Sequence, residues 1–121
     1  MLCLKREFED MKRTLVTGGA GFIGSNFVKM LLKRRSGREI IVLDKLTYAG
    51  NLQNLEGYLE NPRLKFMKGD MCDAKLLDII LPEGEIVYNF AAETHVDRSI
   101  LEAGSFVRTD VMGTYTLLQK A

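Results

Sequence analysis

TLVTGGAGFIGSNF, residues 14–27, sets three glycines, Gly18, Gly21 and Gly24, at the point where an apolar, β-rich run gives way to helical spacing. A fourth, Gly19, stands between the first two. Thr14 to Thr17 reads as a strand and Phe22 to Arg35 as a helix, with Phe22, Ile23, Phe27, Met30 and Leu31 forming its apolar face. Glycines at such a junction leave room for a phosphate. Gly18 permits a tight turn, Gly21 lets backbone N–H groups approach a pyrophosphate, and Gly24 lets the helix pack closely against the sheet. The helix N-terminus adds its partial positive charge, so no lysine is required.

Working outward, strands and helices alternate. Glu39 to Leu43 is a nearly continuous Ile/Val-rich run, the mark of a strand buried on both faces, and Leu64 to Met67 is a shorter third candidate. Asp73 to Leu81 has helical spacing and stops at Pro82, Ile86 to Ala91 gives a fourth strand, and the segment from about Ser105 onward reads as a long helix. This order predicts an α/β fold, a doubly wound parallel sheet of Rossmann-like type built from right-handed crossovers. Lys33, Arg34 and Arg35 suit the negative end of the first helix. The final TYTLLQKA, residues 114–121, stops within a helical pattern with no Gly, Asn or Pro to end it. The expectation is a chain cut after about four strands, with residues 1–11 an N-terminal extension, 12–121 the N-terminal part of the domain, and the substrate domain absent. Residues 1–10 read equally as an extension from an upstream start or as a short ordered helix.

Composition narrows the partners. Of 121 residues, 46% are apolar, which is enough to build one compact core. Seventeen basic residues stand against sixteen acidic ones without a single-sign block, so neither a nucleic acid nor an anionic membrane is indicated. Cys3 and Cys72 lie far apart without CxxC spacing or a nearby histidine, which argues against a disulfide framework or a metal site. The opening residues carry no signal peptide pattern and no apolar run is long enough to span a bilayer. A cytoplasmic protein is expected.

In a parallel sheet, ligands sit outside the carboxyl ends of the strands, and three more sites fall there. Asp44 ends the second strand, placed to accept hydrogen bonds from the hydroxyls of an adenosine ribose; the alternative is a turn or helix-cap residue. Because a carboxylate repels a 2′-phosphate, Asp44 favours NAD over NADP, while Lys45 beside it argues the other way. Asp70 follows the third strand, where it either accepts from an adenine amino group, with Met71 packing nearby, or only turns the chain. Phe90 to Thr94 close the fourth strand, and small Ala91 and Ala92 would let a cofactor lie flat against the backbone. There is no GxxxxGK[ST] sequence for a nucleoside triphosphate.

TGGAGFIG, LDKLTYAGNL, KGDMCD, NFAAETHVDRSI and TDVMGTYTLL, spanning nearly all of residues 14–118, resemble the N-terminal portion of the dTDP-glucose 4,6-dehydratase family of extended short-chain dehydrogenase/reductases. The first motif is shared across that superfamily; the second and fourth are far more specific. The resemblance implies bound NAD contacted at Phe22, Ile23, Asp44, Lys45, Leu46, Thr47, Asp70, Met71, Phe90, Ala91, Ala92, Glu93, Thr94 and Thr109. Thr94, where the family commonly has serine, would also touch the sugar nucleotide. The implied reaction converts dTDP-glucose to its 4-keto-6-deoxy form: a hydride leaves C4, water is lost across C5 and C6, and the hydride returns to C6. A homodimer is expected for the complete protein. His95 reads as structural, with Asp97 and Arg98 pairing near a helix start, rather than catalytic, and Tyr48 as a packing or loop residue.

The superfamily's Tyr-x-x-x-Lys element is missing, since four residues after Tyr48, Tyr58, Tyr88 and Tyr115 stand Leu52, Pro62, Ala92 and Gln119. No catalytic residue is assigned, and these residues are expected to bind a cofactor without turnover. A 4-epimerase of the same superfamily and a non-catalytic dinucleotide-binding module are the competing readings. An open sheet edge and uncovered apolar surface also predict poor solubility.

Overall fold

The computed structural model describes residues 13–34, 37–46, 50–81, 86–91 and 111–120. Within them run β1 (Arg13–Thr17), α1 (Phe22–Lys33), β2 (Glu39–Asp44), a 3-10 turn (Leu52–Leu55), β3 (Leu64–Lys68), α2 (Ala74–Ile80), β4 (Ile86–Asn89) and α3 (Thr114–Lys120). The four strands form one parallel sheet in the order β3-β2-β1-β4. The chain steps outward from β1 through β2 to β3, then returns to the other side of β1 for β4. The turn after β1 therefore lies where the winding direction reverses, the position at which open parallel sheets hold ligands.

The apolar run in β2 divides by the period of a strand. Ile41 and Leu43 join Leu15, Met71, Leu77, Ile80 and Leu117 on one face, beneath α2 and α3. Ile40 and Val42 join Val16, Val28, Leu32, Leu55 and Leu64 on the other, beneath α1. Each fully buried aliphatic side chain contributes about 1.5–3 kcal/mol, so β2 anchors both layers at once.

Helix α1 corrects the expected apolar face. Its buried residues are Gly24, Ser25, Val28 and Leu32, while Phe22, Ile23 and Met30 are exposed. Phe27 and Leu31 only flank the core. The small residues Gly24 and Ser25 lie inside because the first turn of the helix presses on backbone, where a large side chain has no room; counting apolar side chains alone picks the wrong stripe.

The last turn of α1 carries the expected cation, Lys33, and a second one reaches its end from elsewhere in the chain. Lys33 and Arg34 are exposed, and the carbonyls are met by Arg63, which stands immediately before β3. Its Nη1 donates to Leu32 O and Arg34 O, both at 3.2 Å, and its Nε to Arg38 O at 3.1 Å. One guanidinium thus ties the end of α1 to the lead-in of β2. Helix α2 starts one residue later than expected because Asp73 is its cap, accepting from the Lys75 and Leu76 amides. Residues 92–110, which include the start of the expected long helix together with His95, Asp97 and Arg98, lie outside the described residues, as do Tyr48 and Cys3.

Candidate functional site: the glycine loop and the strand ends around it

Backbone hydrogen bonds gather the carboxyl ends of all four strands. Gly18 N donates to Leu43 O at 2.9 Å, Gly69 N to Asp44 O at 3.0 Å, and Phe90 N to Thr17 O at 2.9 Å. Gly18, Asp44, Asp70 and Ala91 are thereby placed along one edge of the sheet.

Gly18 has φ of +67°, a left-handed conformation that side chains disfavour, and a Cβ there would lie 2.5 Å from Ala91 N. Both facts demand glycine. At Gly24 a Cβ would meet Gly18 O at 2.2 Å, so glycine there lets the helix start press on the loop's own backbone. Gly21 is the N-cap of α1, with no side-chain cap, and Ser25 N donates to its carbonyl at 2.9 Å. Helix geometry leaves the Phe22, Ile23 and Gly24 amides without intrahelical acceptors. Gly21 N itself bonds Gly18 O at 3.2 Å, so the amides left without an intrahelical acceptor are those of the first helical turn. Phe22 and Ile23 are 79% and 69% exposed beside them.

Asp44 faces the glycine loop. It is 8% exposed; Oδ2 accepts from Ala20 N at 2.9 Å and Oδ1 from Leu46 N at 2.8 Å. Leu46 has φ of +57°, so its amide is turned back to Asp44 by a backbone conformation unusual for a leucine. A carboxylate has about four acceptor positions, so two bonds leave capacity for further donors. A Cβ on Gly50 would lie 2.6 Å from Asp44 Oδ1, so glycine lets the backbone at that position lie close to the acid.

Lys45 Nζ lies 3.3 Å from Asp70 Oδ2, joining the ends of β2 and β3. Burial pushes the Asp70 carboxyl up, but the Cys72 amide (2.8 Å to Oδ1), the Cys72 thiol and the Lys45 ammonium together outweigh it and hold the carboxyl below its ordinary value. Asp70 is therefore a carboxylate near neutral pH, and the Lys45 charge is matched to it. The Met71 side chain beside it is 5% exposed, in the core, and a Cβ on Gly113 would meet its Cε at 2.3 Å.

At the end of β4, the Thr17 hydroxyl donates to Asn89 Oδ1, which also accepts from Ala91 N at 3.2 Å. The Phe90 ring packs on Phe27, centroids 5.0 Å apart, so its side chain belongs to the α1 layer. Thr47, Ala92, Glu93, Thr94 and Thr109 lie outside the described residues. Sequence reasoning missed Asn51 and Asn54, whose amide groups both donate to Ala20 O, at 3.0 Å from the Asn51 backbone and 2.9 Å from Asn54 Nδ2. Only their place in NLQNL, shortly after the acid, could have hinted at this. Among the described residues, no helix is long and apolar enough to cross a membrane, and no group of three or more metal-ligating side chains assembles.

A switch-point glycine turn, an uncapped helix start and a buried acid against that turn define a Rossmann-like α/β domain. The family model described as GDP-mannose 4,6 dehydratase matches residues 15–121, and the chain belongs to that family. It is 54% identical over 107 residues to the low-salt glycan biosynthesis protein Agl12 of Haloferax volcanii, covering 88% of this chain and 34% of the relative. It is 51% identical over 113 residues to a dTDP-glucose 4,6-dehydratase of Streptomyces niveus, covering 90% and 34%. The crystal structure of DesIV, a dTDP-glucose 4,6-dehydratase of Streptomyces venezuelae with NAD and TYD bound, superposes with a TM-score of 0.86 at 54% identity, over 90% of this chain and 35% of that one. A UDP-glucose 4-epimerase of Thermotoga maritima is more distant, at 34% identity and a TM-score of 0.75 over 89% of this chain and 33% of that one. The chain spans about a third of the length of the curated relatives it matches.

Proposed function

We propose that this chain is the NAD-binding portion of a dTDP-glucose 4,6-dehydratase acting in nucleotide-sugar metabolism. The single observation that carries the cofactor is the glycine cradle: Cβ atoms at Gly18 and Gly24 would strike backbone, and the uncapped first turn of α1 offers amides to an anion. The identity to dTDP-glucose 4,6-dehydratases, about 20 percentage points above that to the epimerase structure (54% against 34%), supports the dehydratase over the epimerase.

The residues present fit NAD. Amides of Phe22, Ile23 and Gly24 would hold the diphosphate, and Asp44, which already accepts from two backbone amides, would take the ribose hydroxyls with its remaining lone pairs. The acid repels a 2′-phosphate, and the Lys45 charge is paired with Asp70. Asp70 would accept from the adenine amino group. Ala91, against Gly18, keeps the floor of the crevice low, and Ala92, Glu93 and Thr94 would continue it, with Thr94 reaching the sugar nucleotide and Thr109 the cofactor. Bound NAD supplies a hydride acceptor that can return the hydride later in the same turnover. The chain's own task is binding and orientation; without a Tyr-x-x-x-Lys element these residues are proposed to be inactive alone. The whole protein is proposed to be a cytoplasmic homodimer acting on dTDP-glucose, with no nucleic-acid or membrane partner.

Calorimetric titration of NAD and NADP tests this. Saturable NAD binding, tighter than NADP, is expected; absence of NAD binding by folded protein would remove the reading.

A further inference from the structure

The backbone N–H and carbonyl of Ala20 are both held by a segment that lies more than twenty positions later in the chain. Its N–H is taken by Asp44 Oδ2 at 2.9 Å. Its carbonyl accepts from Asn51 N at 3.0 Å and from Asn54 Nδ2 at 2.9 Å, which uses both lone pairs. Ala20 is fully buried, whereas Asn54 is half-buried at the turn Leu52–Leu55. Asn51 fixes that turn by accepting from Gln53 N at 2.9 Å. Of these partners, Asn54 is the one whose side chain touches the loop carbonyl.

We infer that Asn54 is a positioning residue for the glycine loop, locking the Ala20 carbonyl so that the neighbouring helix-start amides alone face a bound diphosphate. A carbonyl with two donors cannot swing toward an anion, where its partial negative charge would oppose binding. The same lock ties the loop that meets the diphosphate to the segment that follows the ribose acid, so both halves of the site are set before ligand arrives. Such preorganisation raises affinity by reducing the ordering required on binding. Asn54 makes no ligand contact in this scheme.

The inference rests on the NAD reading above, and the test separates the two. NAD affinity by calorimetry and unfolding free energy of the ligand-free protein are measured for the wild type, Asn54→Leu, which removes the donor without adding charge, and Asn54→Gln, which retains an amide donor. Asn54→Leu is expected to weaken NAD about three- to tenfold, the scale of one net hydrogen bond, in protein that remains fully folded at the assay temperature. Asn54→Gln is expected to recover part of the loss. Unchanged affinity in folded Asn54→Leu overturns the positioning role and leaves the NAD reading standing. A loss that only tracks the unfolded fraction, with no recovery in Asn54→Gln, overturns it also. Wild-type protein that is folded yet silent toward NAD defeats the NAD reading, and the positioning role with it.

Discussion

Asp44 and Ala20, twenty-four positions apart, are joined by a buried hydrogen bond of 2.9 Å from the loop amide to the acid. The proposed ribose acid is therefore also a structural part of the proposed diphosphate loop. Asp44→Ala should lose NAD binding and also destabilise the protein by about 1–3 kcal/mol, the cost of stranding the Ala20 and Leu46 amides. Calorimetry and urea unfolding run on the same preparation separate the two effects. Undiminished NAD binding would remove the ribose role, and unchanged stability would contradict the buried bond.

The loop glycines should divide by what a methyl group would strike. Gly24→Ala places Cβ 2.2 Å from Gly18 O, and Gly18→Ala adds positive φ to a 2.5 Å approach to Ala91 N. Each is expected to cost about 2–3 kcal/mol or more and to abolish NAD binding. Gly37 has nothing within 4 Å of its notional Cβ, so Gly37→Ala should change stability by no more than about 0.5 kcal/mol and leave affinity alone. Urea midpoints for the three variants check the order.

Much of this was legible in the chain. The Ile/Val run of β2 announces a strand buried on both faces, and the observed division of Ile40 and Val42 from Ile41 and Leu43 follows from strand period alone. The close backbone approach at Gly18 and the strand-end acid Asp44 leave residue-type signatures in the sequence. The buried stripe of α1 was misread because backbone contact, not side-chain volume, decides that face at Gly24 and Ser25. Asn54 and Arg63 carried no signal: their partners are main-chain carbonyls, which every residue has, so only the folded path reveals them.

Asp70 gives a pH dependence of fixed sign. Its carboxyl is held below the ordinary value of 3.8, so its interactions stabilise the fold fully above that value and are lost as pH falls through the lower folded-state value. Asp70→Asn should remove that part of the acid limb, giving a flatter urea midpoint from about pH 5 to pH 3. Cys72→Ala and Lys45→Ala should each raise the Asp70 pKa in a carboxyl NMR titration. Identical acid limbs in wild type and Asp70→Asn would contradict the assignment.

Apolar side chains are left in solvent on α3 and near it: Leu118 is 73% exposed, Ile79 75% and Tyr115 58%. Concentration-dependent self-association of the isolated chain is expected, and Leu118→Lys with Ile79→Lys should reduce it. Sedimentation velocity over a concentration series measures this; a monomer at all concentrations would count against it.

Arg63 offers the complementary case, a residue for stability and not for the ligand. Its guanidinium reaches the Leu32, Arg34 and Arg38 carbonyls at the amino-terminal edge of the sheet, the edge opposite the glycine loop. Carbonyls at a helix C-terminus lack intrahelical partners and carry partial negative charge, so a planar cation with several donors suits them better than a single ammonium. Arg63→Ala should therefore cost about 1–2 kcal/mol, and Arg63→Lys should recover less than half of it, because one nitrogen cannot serve carbonyls on two sides. NAD affinity should be unchanged in both variants while the protein remains folded. Urea unfolding and calorimetry together decide the matter: a loss of affinity without a loss of stability would place Arg63 in communication with the site and contradict a purely local cap.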